Sequence, residues 1–352
     1  MNSNKTFFIK PSKPLFGERK LDPVLATENV LNGVETNIIL DTNILIRMEK
    51  VVKEGNKWSS VKKYGLNNLV KLLKRCPPHS VCISPGFALS EMPPAAANQS
   101  RIFYENFCAK HLRGFVDAPN SLRTHFRETS RDYGFKDLPL EARGVLAIPF
   151  VSILYLNLIY YKKEGSPIKK FKTYLDKIES TIDILSATEI EIAKYCFSEI
   201  ESGEQEILNL RKNIRANFIK TGREKRPKNA NEVLKIGFNG ACDIRLLTSA
   251  NVNDQNGLDN VIQDSWIATG DKKLAAFSDV FHHVNVDGEA GKYAASSTIG
   301  GDGKNQYWHE ALIAWGVKSL SRRAHYESKK LDFDELASIA DKAILEIEKE
   351  FG

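Results

Sequence analysis

The sequence predicts an α/β fold, a parallel β-sheet flanked by helices, with an all-α insertion and C-terminal helices. Three observations lead there. Between residues 37 and 92 an apolar strand, a helix and a second strand follow one another, and from about 241 to 286 the alternation returns. Strand, helix, strand is the pattern of βαβ units, whose crossovers make neighbouring strands parallel. Both stretches also contain an apolar run that ends in a small polar turn with an aspartate, Asp41 in one and Asp271 in the other, the edge where open α/β sheets place functional residues.

Taken in order, residues 1–36 read as an extended basic lead-in. The strand Asn37-Ile38-Ile39-Leu40-Asp41 follows, and a helix begins near Asn43. A helix from Asn67 to Arg75 is stopped by Pro77-Pro78. Ser80 to Ser84 forms a second strand, and Pro85-Gly86 turns it into Phe87-Ala88-Leu89-Ser90-Glu91, completing a first α/β part over 37–99.

Residues 100–232 read as a helical insertion, amphipathic over Ile168–Ile178 and Ile182–Glu201. That is too long for a loop, so it must form its own packed layer. The second α/β part, 233–290, holds a helix from about Ala241 to Ala250, a polar loop from Asn251 to Asn260, a strand ending at Thr269, a helix from Lys272 and a strand from Phe281 to Val286. Residues 291–352 complete the chain. Gly288 to Gly303 is a Gly/Ser/Ala-rich loop but not a phosphate loop, because Thr298 stands where a glycine is needed and Asn305 replaces the hydroxyl residue. Two helices close the sequence, Tyr307–Ser321 and Asp334–Glu350, the second capped by Asp332 or Asp334.

The composition is globular: 352 residues, 42% hydrophobic and 27% charged, suit one large domain with an insertion or two domains. A net charge of +6 allows a polyanionic partner but is mild for this length, so clustering decides. The five cysteines are scattered and never paired as C-x-x-C, which argues against a disulfide framework or zinc site and for a reducing cytoplasm. Met1 to Lys20 lacks the apolar core of a secretory signal. Gly144 to Tyr161 runs 18 residues without a charge, the lower edge of a membrane span; Pro149, Ser152, Asn157 and three tyrosines favour a buried helix, and no membrane is expected as a partner.

Leu40-Asp41-Thr42-Asn43, followed far downstream by apolar-Thr269-Gly270-Asp271-Lys272-Lys273-Leu274, resembles the PIN family of metal-dependent nucleases over roughly 37–92 and 238–287. The resemblance implies a PIN-like sheet whose carboxylates bind Mg²⁺ or Mn²⁺ and cut nucleic acid, with RNA favoured over DNA, leaving a 5′-phosphate and a 3′-hydroxyl. Carried over, Asp41, Glu91, Asp243 and Asp271 are the catalytic and metal-binding acids. Thr42 and Asn43 hold the first turn, Thr269 and Gly270 form the last, and Lys272 is available to a substrate phosphate. Asp264 is the reserve acid, at the wrong end of its strand. His282 and His283 read as ordinary strand residues. Grouped carboxylates repel unless a hard divalent cation neutralises them. As bare residues, Asp41 and Asp271 suit helix capping, and Glu91 a solvated surface.

The most basic stretch holds Arg211, Lys212, Arg215, Lys220, Arg223, Lys225, Arg226 and Lys228 against the single acid Glu224, a candidate nucleic-acid surface. A phosphatase using Asp41 as nucleophile needs an acid two residues on, where Asn43 stands. The alternative outside catalysis is a degenerate PIN-like scaffold that binds nucleic acid or a protein partner. The insertion suits substrate choice or a regulatory protein partner, and a toxin or antiviral-defence role suits the resemblance; oligomeric state is not legible.

Overall fold

The computed structural model describes residues 5–14, 19–114, 133–198, 205–219, 226–257, 260–286, 289–296, 306–325 and 332–352. The chain divides into two compact units, Met1–Tyr133 with Leu246–Ala295 and Gly134–Arg245 with Ser296–Gly352. The division thus falls after Tyr133, beyond the boundary near residue 100 that the sequence suggests, and the C-terminal helices belong with the helical unit.

The first unit begins with β1 (Phe7–Ile9), β2 (Ser12–Pro14), α1 (Pro23–Leu31), β3 (Val34–Leu40), α2 (Thr42–Lys53), α3 (Trp58–Lys63), α4 (Asn67–Arg75), β4 (Val81–Ser84), α5 (Gly86–Ser90) and α6 (Pro94–His111). The second unit contains α7 (Leu140–Tyr160), α8 (Pro167–Ile182), α9 (Ala187–Phe197) and α10 (Gln205–Phe218). The helix α11 (Ala230–Asn256) carries the chain from the second unit back into the first. There follow β5 (Ile262–Thr269), α12 (Lys272–Val280), β6 (Phe281–Val286) and β7 (Glu289–Ser296), then α13 (Gln306–His325) and α14 (Phe333–Phe351).

The main sheet has the order β1-β5-β3-β4. β5, β3 and β4 run parallel, with Leu40 opposite Ala268 and Ile39 opposite Ser84, so their C-terminal ends lie at one edge. β1 runs antiparallel on β5, with Phe7 opposite Thr269. The last five residues of β3 and the last seven of β5 are buried, polar Thr36, Asn37, Gln263, Asp264 and Ser265 among them, because helices cover both faces of a parallel sheet. Ile44, Leu45, Met48 and Val51 of α2 and Leu69, Val70 and Leu73 of α4 pack with Ile38 and Leu40 into the core. A second sheet has the order β2-β6-β7.

Three expectations change. The lead-in is not merely extended: it supplies β1, β2 and α1, the helix being started by the Asp22 cap and Pro23. The loop expected over 251–260 is helical through Asn256, because Asp254 faces inward and accepts bonds from Lys10 and the Ser265 N–H. Gly257 then ends the helix at φ +69°, where a Cβ would stand 2.6 Å from the Val261 carbonyl. Within the Gly/Ser/Ala-rich stretch, Glu289–Ser296 is strand β7; residues 297–305 lie outside the described residues.

In the second unit α7 is the central apolar helix, long and apolar enough to cross a membrane by composition, yet 78% of that apolar window is buried within the protein. Phe150 stacks on Phe135 at 4.1 Å, and Gly144 lets α14 approach, since a Cβ there would meet Phe333 Cβ at 2.5 Å. All five cysteines are free of disulfides.

Candidate functional site

The site is built where β3 and β5 end side by side. β3 continues on one side to β4 through α2, α3 and α4, while β5 lies on its other side, so the crevice between their carboxyl ends is a topological switch point. The Asp41 N–H bonds the Ala268 carbonyl at 3.0 Å, extending the ladder by one residue before α2 begins. Asp41 caps α2 through the Asn43 N–H at 3.3 Å, and Asp271 caps α12 through the Lys273 N–H at 2.6 Å. Both aspartates therefore make the capping bonds expected of an aspartate at the start of any helix.

Further bonds go beyond capping. The Thr269 hydroxyl and the Asn43 amide both donate to Asp41 Oδ2. Asn43 Oδ1 accepts the Gly270 N–H at 2.6 Å, and Thr269 Oγ1 accepts the Asp271 N–H at 2.9 Å. Thr42, facing the other way, donates its hydroxyl to Glu91 Oε2 at 2.6 Å. Glu91 closes α5 just before Pro93 and Pro94 open α6, which turns it toward α2. The two prolines thus bend the helical path at Glu91 and leave it within reach of the site.

Asp41 is buried, and burial pushes its carboxyl above the ordinary value; the Thr269 and Asn43 bonds oppose this, while the Asp271 charge adds to it. Arg47, one helical turn beyond Asn43, donates to the Gly270 carbonyl at 3.3 Å and the Lys5 carbonyl at 3.2 Å. Its guanidinium, depressed by burial, is supported by the Asp41 charge. At Gly270 a Cβ would fall 2.1 Å from Arg47 Nη2, so any larger residue there must displace the guanidinium. The sequence reading missed Arg47, although four residues beyond Asn43 is the helical spacing that shares a face.

Of the four proposed acids, Asp41 and Asp271 stand at the strand ends, linked through Thr269; Glu91 bonds Thr42 next door but is not gathered with them into a ligand set. Asp243 belongs to the second unit, where it accepts the Asn217 amide at 2.9 Å; it sits mid-helix in α11, because that helix starts at Ala230 rather than near Ala241. Asp264 lies near the opposite end of β5, held by Lys10, Arg19, Asn29 and Trp266. Lys272 is exposed on the first turn of α12.

The carboxylate and hydroxyl oxygens of Asp41, Asp271 and Thr269 are the kind a hard divalent cation takes, and burial, the main cause of the raised Asp41 carboxyl, disfavours a bare charge that a cation would offset. In donor type the residues fit Mg²⁺ or Mn²⁺. In number they are fewer than three, since among the described residues no group of three or more His, Cys, Asp and Glu is gathered as a ligand set.

The basic stretch is divided in its roles. Arg211 is buried over Trp308 at 5.3 Å, and Arg215 donates to the Cys196 and Ser198 carbonyls, so these two serve the interior of the second unit. Lys212 and Lys228 are exposed, and Arg226 lies over Phe351 at 5.1 Å. Lys220, Arg223 and Lys225 lie outside the described residues.

Comparison with family models, curated proteins and solved structures finds no match to this chain.

Proposed function

We propose that the protein is a metal-dependent, PIN-like nuclease that hydrolyses phosphodiester bonds, with RNA favoured over DNA. The observation that carries the reading is the bonded junction of Asp41, Thr269 and Asp271 at the carboxyl ends of two adjacent parallel strands. Asp41 and Asp271 would hold Mg²⁺ or Mn²⁺, with Glu91 as the third acid. Such an ion, when bound, lowers the pKa of a coordinated water and stabilises charge on the phosphoryl group. Thr269 and Asn43 fix the direction of the Asp41 carboxylate, and Thr42 fixes Glu91. Exposed Lys272 stands one residue from Asp271, placed for a substrate phosphate.

The capping bonds favour a second reading, a scaffold of the same fold that binds without cutting. Cleavage of single-stranded and structured RNA, single-stranded DNA and flapped DNA with Mn²⁺ or Mg²⁺ separates the two. Under the nuclease reading the native protein cuts, and Asp41→Asn and Asp271→Asn each abolish cutting. Binding without cutting by all three proteins would replace it with the scaffold.

A further inference from the structure

A groove of about 430 Å³ follows the outer edge of β1 in the first unit, walled by α4 at Asn68 and by α12 at Ala275 and Ser278. Its lining holds five cations, Lys5, Lys10, Lys13, Arg19 and Lys20, against one acid, Asp279. They are not equivalent. Lys10 is buried between Asp254 and Asp264, and Arg19 shares Asp264 at 3.3 Å, so both are largely neutralised from behind. Lys13 and Asp279 are 3.7 Å apart and solvated, a pair that holds neither strongly. Lys5 and Lys20 are exposed, and among the described residues neither forms an ion pair.

The groove also has an aromatic face and a direction. Lys5 Nζ lies 5.7 Å from the centre of the half-buried Phe7 ring. Phe7 is opposite Thr269 in the sheet register, and the Lys5 carbonyl shares Arg47 with Gly270. One end of the groove therefore abuts the junction of Asp41 and Asp271. The other end, at Lys13 and Lys20, lies away from it. Cations along a concave edge beside a partly accessible aromatic ring are the means by which proteins hold a single strand: charges follow the phosphates and the ring takes a base.

We propose that this groove binds the phosphate backbone of a single-stranded nucleic acid, with Lys5 and Lys20 as its contacts and Phe7 as its stacking surface. The strand's destination at the carboxylates rests on the nuclease reading; its binding does not. A duplex, having no free base to stack, binds less well.

The test is fluorescence anisotropy of a labelled twelve-nucleotide RNA, and its DNA equivalent, in chelator so that nothing is cut. Lys5→Glu/Lys20→Glu is expected to weaken binding at least tenfold. The milder Lys5→Gln/Lys20→Gln should lower the slope of log affinity against log salt by about 1.4, two contacts at about 0.7 each. Phe7→Ala should narrow the preference for single strand over duplex. Lys163→Glu/Lys342→Glu, exposed in the other unit and outside the basic stretch, should leave the slope unchanged. Unaltered affinity and slope in both Lys5/Lys20 variants overturn the proposal, as does a labelled polyglutamate peptide that binds this surface more tightly than RNA. Because binding is read without metal, a wild-type protein that needs Lys5 and Lys20 to bind yet never cuts would leave the groove standing and remove the nuclease.

Discussion

Asn43 Oδ1 accepts the Gly270 N–H at 2.6 Å, tying the first turn of α2 to the turn that ends β5. The same side chain donates to Asp41 and, at 3.2 Å, to Thr269, so one residue spans the whole junction. Asn43→Ala should cost about 2 kcal/mol of stability, since the Gly270 N–H and the Asp41 oxygen lose partners in a half-buried place. Urea denaturation measures this, and a loss under about 0.5 kcal/mol would mean that water replaces the amide.

Asp41 makes a pH prediction whose sign follows from its raised carboxyl. The folded state then holds the proton to higher pH than the unfolded chain, which binds fewer protons from the ordinary value of 3.8 upward. In chelator, Asp41 therefore lowers stability progressively as pH rises through that window. The wild-type minus Asp41→Asn difference in unfolding free energy should fall across it; a rising difference would contradict the assignment. Added Mn²⁺ should raise the wild-type melting temperature less as pH falls, because a protonated carboxyl is a poor ligand.

Lys10 carries a second prediction at the opposite end of β5. It pairs with Asp254 and, at 2.9 Å, with Asp264, all three nearly inaccessible. Burial raises both carboxyls, yet for Asp264 the charge and hydrogen bond of Lys10 win and hold it below the ordinary value, while for Asp254 burial prevails. Removing the cation strands two buried acids, so Lys10→Ala should destabilise by about 3–5 kcal/mol. Adding Asp254→Asn and Asp264→Asn should recover part of that; no recovery would show that the lysine acts through packing alone.

Two glycines should respond with opposite signs. Gly144→Ala drives a methyl into Phe333, whose Cα would lie 2.9 Å away, and backbone cannot step aside as a side-chain tip can. A loss of about 1–3 kcal/mol is expected, read as a lower melting temperature. Gly316, inside α13, meets nothing within 4 Å, so Gly316→Ala should stabilise by about 0.5–1 kcal/mol. Equal shifts in both variants would contradict this reading of the α7 and α14 contact.

Thr42→Val removes the donor to Glu91 while keeping the shape of the side chain. Stability should fall by about 1 kcal/mol. If Glu91 serves the site, the melting shift caused by Mn²⁺ should shrink in Thr42→Val and shrink no further in Thr42→Val/Glu91→Gln. An additive double variant would separate the two residues.

The parallel sheet could be read from the sequence because its strands are buried on both faces and its helices end at sharp chemical stops. Asn67–Arg75 and Phe281–Val286 have the bounds the sequence suggests. The aspartates at 41 and 271 were legible for the same reason, as the first polar groups beyond apolar runs. β1 was not, since three residues are too few to show a strand period and their partner is 260 positions away. Arg211 and Arg215 show the converse error: a charge count places guanidinium groups on the surface, whereas Trp308 and two carbonyls take them inside. The bond from Thr42 to Glu91 depends on how α5 bends before two prolines, which no pairwise spacing encodes.

The main sheet is closed by segments from far apart in the chain: Phe7 pairs with Thr269, and Asp41 meets a hydroxyl 228 residues later. Long-range pairing of this kind is slow, because loop entropy is lost before the contacts that offset it can form. During synthesis, β3 and β4 emerge with one flank bare, and they keep an open edge until β5 has left the ribosome. A chain arrested before residue 262 has its first aspartate but neither the hydroxyl that orients it nor the second acid. Such a fragment exposes a sticky strand edge in place of a finished junction, so chaperone capture of arrested chains should centre on β3.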